Sequence, residues 1–405
     1  MRRFLAFVIA VSASLGIWAQ QTVVSGTVVN ETTGKPVAGA SVSTKGIAVV
    51  TNDDGFFTLK GNAPIGTVTV SYVGFHSQKL HLKDKTEDKL TIRLRPSTIQ
   101  LQEVLVMADN AREIVEKAIS RIPHNYNSQP ELYHSFYREK VMKRQHYISI
   151  AEGVTDIYKT DYLHDISKDR VAIRKGRRLL SPKKTDTLSV KVMGGPVTAI
   201  YLDIVKNTSI LLNTEELNLY NLKMEMPTTI ADRKQFVVSL SPRAIMPYAL
   251  YYGRLYIDQE TLAFTRIELS LDMSDRIKAT DMMLVKKPKG LRFRPKELSS
   301  IVDYHLGDDG LSRVSYVSTT FRFNCDWKRR LFATSFAAFC EMAVTSTTDQ
   351  DVHPIKGRDS FDQHDAFFDR VDYFRDPEFW QDYNIIEPSE SLDKAIEKIL
   401  KKHDN

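Results

Sequence analysis

The sequence predicts a mainly β protein, with a small β-sandwich followed by a larger antiparallel β domain and a few helices. Residues 22–94 alternate short Val/Thr/Ser/Tyr runs with turn signals at nearly regular spacing. From Tyr133 to about Val344 the chain is again strand-like, in longer alternating stretches. Helical spacing is confined to a few short segments.

Met1–Ala19 has the layout of an export signal. Arg2 and Arg3 precede an apolar stretch, Phe4–Trp18, that is too short for a membrane anchor, and Ala19 is a small residue suited to cleavage. No cysteine follows for lipid attachment. The expected location is outside the cytoplasm, periplasmic or peripherally attached to the outer membrane. A mature length of about 385 residues fits two or three domains. The formal net charge of +6 loses the two signal arginines on export, too small an excess to argue for nucleic acid.

The sandwich spans residues 20–95. Asn30–Pro36 interrupts one strand pair, Asn52–Gly55 another, and Gly61–Gly66 the next; Gly and Asn supply the positive φ of tight turns. Gly26, Thr33-Gly34-Lys35-Pro36-Val37-Ala38-Gly39-Ala40-Ser41-Val42, Thr51-Asn52-Asp53-Asp54-Gly55-Phe56-Phe57 and Ser71-Tyr72-Val73-Gly74-Phe75 together resemble the carboxypeptidase-regulatory-like domain. The resemblance implies seven strands in a transthyretin-like sandwich, in a protein of the Gram-negative envelope. It implies an accessory module without chemistry of its own.

Residues 96–130 form a linker and a helix. Leu101-Gln102-Glu103-Val104-Leu105-Val106 resembles the linker strand that precedes the plug of TonB-dependent receptors, but neither a plug nor a long series of barrel strands follows. Ala111, Ile114, Val115, Ala118, Ile119 and Ile122 recur at helical spacing, with Asp109 or Asn110 as N-cap and Pro123 as the stop. The antiparallel domain spans 131–346. Its expected strands include Phe136–Tyr158, Leu217–Met226, Phe236–Leu240, Tyr251–Ile257, Phe264–Met273, Lys278–Val285, Leu291–Tyr304 and Leu311–Phe323. Pro196–Leu212 is expected to be helical, with Ile200, Ile204 and Leu211 on its apolar stripe and Asp203, Asn207 and Thr208 facing solvent. The hairpin Tyr252–Glu268 is similar to the repeating unit of lipoprotein-carrier folds, which implies a half-barrel curled over helices. Residues 347–405 form a tail with ten acidic and four basic residues in 347–382, several aromatics, and a helix from about Ser391 to Lys402.

Only Cys325 and Cys340 are present. Alternation places both inward on neighbouring strands, and a turn at Lys328–Arg330 sets Cys325 opposite about residue 333, too far from Cys340 for a bridge. A longer loop would allow one.

No catalytic, cofactor-binding or metal-ligating set is expected from the sequence. None of the ten histidines begins H-x-x-E, and H-E-x-x-H, G-x-S-x-G and the phosphate-cradling Gly-rich loop are missing. Ser181–Lys184 and Ser391–Lys394 match S-x-x-K at the frequency of chance. His353, Asp359, Asp362, His364 and Asp365 concentrate hard ligands, yet their spacing fits no EF-hand, and a polar surface segment accounts for them. Lys168–Lys184 carries eight positive charges and one negative, either a solvated loop or a contact for an anionic surface. The aromatics of the tail either pin it to the core or line a groove. The expected function is binding or scaffolding of an envelope protein, without enzymatic activity or cofactor. Carriage of a lipid-like ligand, or metal-dependent hydrolysis built on the tail, are the alternatives.

Overall fold

Turn chemistry shapes the N-terminal layer. The structure, a computed structural model, describes residues 22–82, 89–97, 111–181, 191–285, 289–327, 333–373 and 379–403. The export signal, the strand at 101–106 and the candidate caps Asp109 and Asn110 lie outside them. Strands β1 (Thr22–Asn30), β2 (Ser41–Thr44), β3 (Ile47–Val50), β4 (Phe56–Gly61), β5 (Thr67–Ser71), β6 (Gln78–His81) and β7 (Leu90–Leu94) form the seven-stranded sandwich. One sheet has the order β4-β1-β7, the other β3-β2-β5-β6. Val28, Val42, Phe57, Leu59, Val68 and Ile92 fill the space between them. The Asn52 carboxamide oxygen accepts from Asp54 N at 3.0 Å and Phe56 N at 2.9 Å, closing the Asn52–Gly55 turn. Gly55 has φ +72°, and a Cβ there would lie 2.4 Å from Val28 O. Gly55→Val is therefore expected to destabilise the protein by about 1–3 kcal/mol in urea unfolding. A change within experimental error would show that the turn accommodates a side chain.

One twelve-stranded sheet dominates the remainder. Its strands are β8 (Glu131–Lys143), β9 (His146–Lys159), β10 (Arg170–Leu180), β11 (Tyr220–Met224), β12 (Thr228–Ile230), β13 (Arg233–Pro242), β14 (Tyr251–Asp258), β15 (Phe264–Leu271), β16 (Leu291–Leu306), β17 (Ser312–Trp327), β18 (Thr334–Thr348) and β19 (Asp372–Tyr373). The order is β11-β13-β14-β15-β16-β17-β18-β8-β9-β10-β19, with β12 paired to β13. All neighbours are antiparallel except β10 and β19. Helices α1 (Ala111–Ser120), α2 (Ile122–Asn125), α3 (Gly195–Tyr201) and α4 (Thr214–Leu217) lie on the first face, α5 (Arg276–Met283) joins β15 to β16, and α6 (Glu390–His403) ends the described chain.

The first face carries the largest core, in which Val115 and Ala118 of α1, Ala199 and Ile200 of α3 and Leu217 of α4 meet Tyr133, Tyr137, Ile257 and Ile267 of the sheet. On the second face, Val50 of the sandwich and Trp380, Ile385 and Ile386 of the tail pack on Phe136, Val154 and Ala343. Leu392, Ile396 and Ile399 of α6 cover Ile150 and Leu179 there. The tail straps the β10 edge of the sheet. Its 361–371 part lies on the first face, where Gly153 and Gly176 sit opposite each other and admit Phe367 and Val371. A Cβ at these glycines would come within 2.7 Å of Phe367 and 2.3 Å of Val371.

Five expectations about elements need correction. Phe136–Tyr158 is not one strand: a turn at residues 144–145, with Arg144 at φ 58°, separates β8 from β9. Pro123 does not close the first helix; α1 stops at Ser120 and Pro123 opens α2, where its missing N–H costs nothing. Pro196–Leu212 is not one helix: α3 ends at Tyr201 and irregular turns follow as Asp203 folds inward. Lys278–Val285 is not a strand, because Asp275 caps Ile277 N and Lys278 N and starts α5. Leu217–Met226 opens on the last residue of α4, capped by Asn213, before β11 begins.

Candidate functional site

Each face of the sheet carries a buried group of charges. On the first face, Asp203 is fully buried, which corrects its expected solvent-facing position. Its carboxylate lies 2.6 Å from Lys159 Nζ and accepts from the hydroxyls of Tyr162 and Tyr304, each at 2.9 Å. Lys206 Nζ reaches Asp169 at 2.6 Å and donates to Thr160 O and Oγ1 at 2.6 and 2.7 Å. Thr160 in turn donates its N–H and hydroxyl to Asp169. Two lysines and two aspartates alternate, so the group is neutral and hydrogen-bonded throughout. Burial alone would lower the Lys159 ammonium, but Asp203 and Asp169 raise it above its ordinary value. Burial, with Lys159 beside it, brings Lys206 down to about 8. The arrangement locks the turns after α3 onto β9, and its side chains are closed from solvent.

Also on this face, burial pushes the Glu139 carboxyl up to about 8 against the hydrogen bond from Tyr137, 2.9 Å long. A carboxyl raised in the folded state binds its proton more tightly there than in the unfolded chain. Its contribution is therefore whole below about pH 4.5 and is lost as pH rises towards 8, with a slope of up to about 1.4 kcal/mol per pH unit. Glu139→Gln is expected to flatten that part of the stability–pH curve. An unchanged slope would show that Glu139 is not the group responsible.

The second face holds the seam between sandwich and sheet. Arg138 donates to Glu152 and to Ile386 O, both at 2.6 Å, and Arg177 takes the other Glu152 oxygen at 2.6 Å. Burial pushes the Glu152 carboxyl up, but the two guanidinium groups outweigh it and bring it down to about 2. Lys140 meets Glu341 at 3.0 Å, and Arg266 binds Asp303 through Nη1 at 2.8 and 3.0 Å. The sandwich is fastened at both ends of the seam. Asn52 Nδ2 donates to Pro388 O, and Lys60 and Asn384 exchange two bonds on the tail side. Gly74 N donates to Thr229 O, and Ser77 N to Asp232 of the β12–β13 hairpin, on the other.

Two cavities open between these fastenings. The smaller, about 160 Å³, is lined by Asn52, Asp53, Arg138, Lys140, Glu341 and Glu387 among others. The larger, about 290 Å³, lies between β3 with Tyr72 of the sandwich and Ile230, Arg266, Leu306 and Tyr316 of the sheet. Tyr72 and Tyr316 border both. Local sequence pattern does not single out these charged residues, because they occupy alternating positions on strands. The signal was there in Arg138, Lys140 and Glu152, on positions that share a face with Phe136 and Val154.

The residues singled out from sequence fall elsewhere. Described residues of the basic run form strand β10 instead of a loop, and its charges are largely engaged. Lys175 donates to Phe379 O at 2.7 Å, Arg177 holds Glu152, Arg178 donates to Phe368 O at 2.9 Å, and Arg174 pairs with Asp156. For the expected contact of residues 168–184 with an anionic surface, the described run leaves Lys168 and Arg174 exposed; Lys183 and Lys184 lie outside the described residues. His364 pairs with Asp362 at 2.9 Å, Arg370 with Asp365 at 3.4 Å, and Arg358 with Asp359 at 3.5 Å. Among the described residues no three His, Cys, Asp or Glu side chains converge on a metal position. Lys394 pairs with Glu390, and the Ser391 hydroxyl meets that of Ser389 at 3.1 Å. Cys325 is opposite Thr334 and Cys340 opposite Thr319, so both thiols are free, as register required. Phe361, Phe367, Phe379 and Trp380 pin the tail to the two faces. No helix of the described residues is long and apolar enough to cross a membrane.

The model of the CarboxypepD_reg-like domain family matches residues 24–106, and the N-terminal sandwich is such a domain. No curated protein matches the chain. Among solved structures, the chain is similar to a DUF1329 family protein from Desulfovibrio piger, at 9% identity and a TM-score of 0.26, over 60% of this chain and 95% of that one. It is similar to MucB, solved in complex with MucA(peri), at 10% identity and 0.19, over 59% and 98%. A putative membrane-associated protein of unknown function from Bacteroides fragilis gives 8% and 0.16, over 81% and 99%.

Proposed function

We propose that the protein is an exported, non-enzymatic binding protein that holds an envelope partner at the seam between its sandwich and its sheet. The observation that carries this reading is the unequal treatment of the two faces. On the first face, helices and the Lys159–Asp203 group occupy the space a carried ligand would need. On the second, the sandwich is fastened at both ends yet leaves a cavity of about 290 Å³ between. That volume is at the lower end of small-molecule sites, about 300–1,000 Å³, and suits a few side chains of a partner. Outer strand β3 borders it, which favours an extended polypeptide segment. The Met1–Ala19 layout supports export.

The test places a photoreactive phenylalanine analogue at Tyr72 of the full chain in cells. The expected result is a single protein adduct, abolished by Ala48→Trp, which fills the cavity. An adduct recovered only in the organic extract would favour a lipid-like ligand instead. An adduct indifferent to Ala48→Trp overturns the seam.

A further inference from the structure

The three most exposed large hydrophobic side chains among the described residues are Ile245, Val285 and Ile277, at 94%, 89% and 75%. All three belong to one end of the sheet. Ile245 is in the connection from β13 to β14, and Ile277 and Val285 are in the neighbouring connection from β15 to β16 that contains α5. These connections are packed together at their base. Ala249, Leu271 and Ala279 form one buried cluster, and Asp272 N donates to Leu250 O at 2.8 Å. Met282, also exposed, is on the same helix. The tip thus has a packed base with aliphatic side chains exposed above it.

Cations flank these side chains: Arg243, Arg276, Lys289 and Arg292 are exposed. Of the acids nearby, Asp272 and Asp275 accept backbone N–H groups of Ser274, Ile277 and Lys278, Asp275 and Asp281 are exposed, and Glu216 lies near Tyr248. Aliphatic groups that project singly offer little shape for a rigid protein partner to match. A bilayer needs no such match: it takes apolar side chains to any depth while the flanking cations stay at the headgroups. The cationic surround complements an anionic leaflet.

We infer that this tip, formed by residues 243–249 and 274–285, is a site of peripheral insertion into an anionic phospholipid surface. It is separate from the seam and stands or falls on its own observations. One aliphatic side chain moved out of water is worth about tenfold in binding. With partial immersion, the triple variant Ile245→Ser, Ile277→Ser, Val285→Ser is expected to bind vesicles at least about 30-fold more weakly.

The experiment sediments the full mature chain with vesicles of phosphatidylethanolamine and phosphatidylglycerol at low salt. Binding by the parent protein is expected to fall with added salt and on phosphatidylcholine alone. A control variant, Val23→Ser with Leu163→Ser, removes exposed apolar groups elsewhere and is expected to bind like the parent. Matching melting curves for all variants separate binding from folding. Ile245→Trp adds a depth readout, since the indole emission shifts to the blue and is quenched by brominated lipid when inserted. Absence of vesicle binding by the parent, or equal binding by the triple variant, overturns the inference. Self-association abolished by the triple variant without vesicle binding assigns the tip to a second copy of the chain and also overturns it.

Discussion

Asp203→Asn is expected to destabilise the protein by about 3–5 kcal/mol, measured by urea unfolding at neutral pH. The carboxylate faces Lys159 at 2.6 Å and accepts two tyrosine hydroxyls, all in a fully buried position. An amide of the same shape leaves the Lys159 ammonium with Asp169 alone, at 3.4 Å, in surroundings that penalise an uncompensated charge. Replacing the pair together, Lys159→Met with Asp203→Leu, is expected to recover much of the loss, because the cost lies in stranding one charge. A loss below about 1 kcal/mol for the single variant would show that water reaches the group.

The second large effect is expected at Glu152, shared by Arg138 and Arg177 at 2.6 Å each. Glu152→Gln leaves two buried guanidinium groups facing a neutral amide, and a loss of about 3–5 kcal/mol follows. The same carboxylate gives acid sensitivity. Its folded value of about 2 is below the unfolded one, so its contribution is whole above about pH 4.5 and is lost as pH falls towards 2. The loss over that window is about 3 kcal/mol. Because Arg138 also donates to Ile386 O, the variant should loosen the tail first, seen as faster proteolysis near residues 379–390. Uniform protection of the tail in both proteins would place the effect elsewhere.

The parts legible from sequence are those where local chemistry decides the structure. Asn30, Asn52 and Gly55 announce their turns through their own side chains and φ preferences, so the seven strands could be counted before packing was known. Cys325 and Cys340 could be set apart by counting register along two strands. The illegible parts depend on distant partners. Asp203 resembles a surface residue because Lys159, Tyr162 and Tyr304, which make its burial tolerable, come from two other segments of the chain, about 40 and 100 residues away. The basic run resembles a loop because Glu152 and the carbonyls of Phe368 and Phe379 that engage it are invisible to local pattern. Helix α5 was hidden by a brief alternation that Asp275 overrides with its cap.

The position of β8 has a consequence for how the chain acquires its shape. Strand β8 begins the large sheet in sequence yet lies in its interior, hydrogen-bonded to β9 on one side and to β18 on the other. Cys340 is paired opposite Glu139, about 200 positions later in sequence, so this ladder closes only after a long loop-closure search. If the β8–β9–β10 hairpins form during synthesis, both of their outer edges are bare, β8 until β18 arrives and β10 until β19 follows. That interval exposes a template for pairing with other chains, and refolding at rising protein concentration should lose yield in proportion to it.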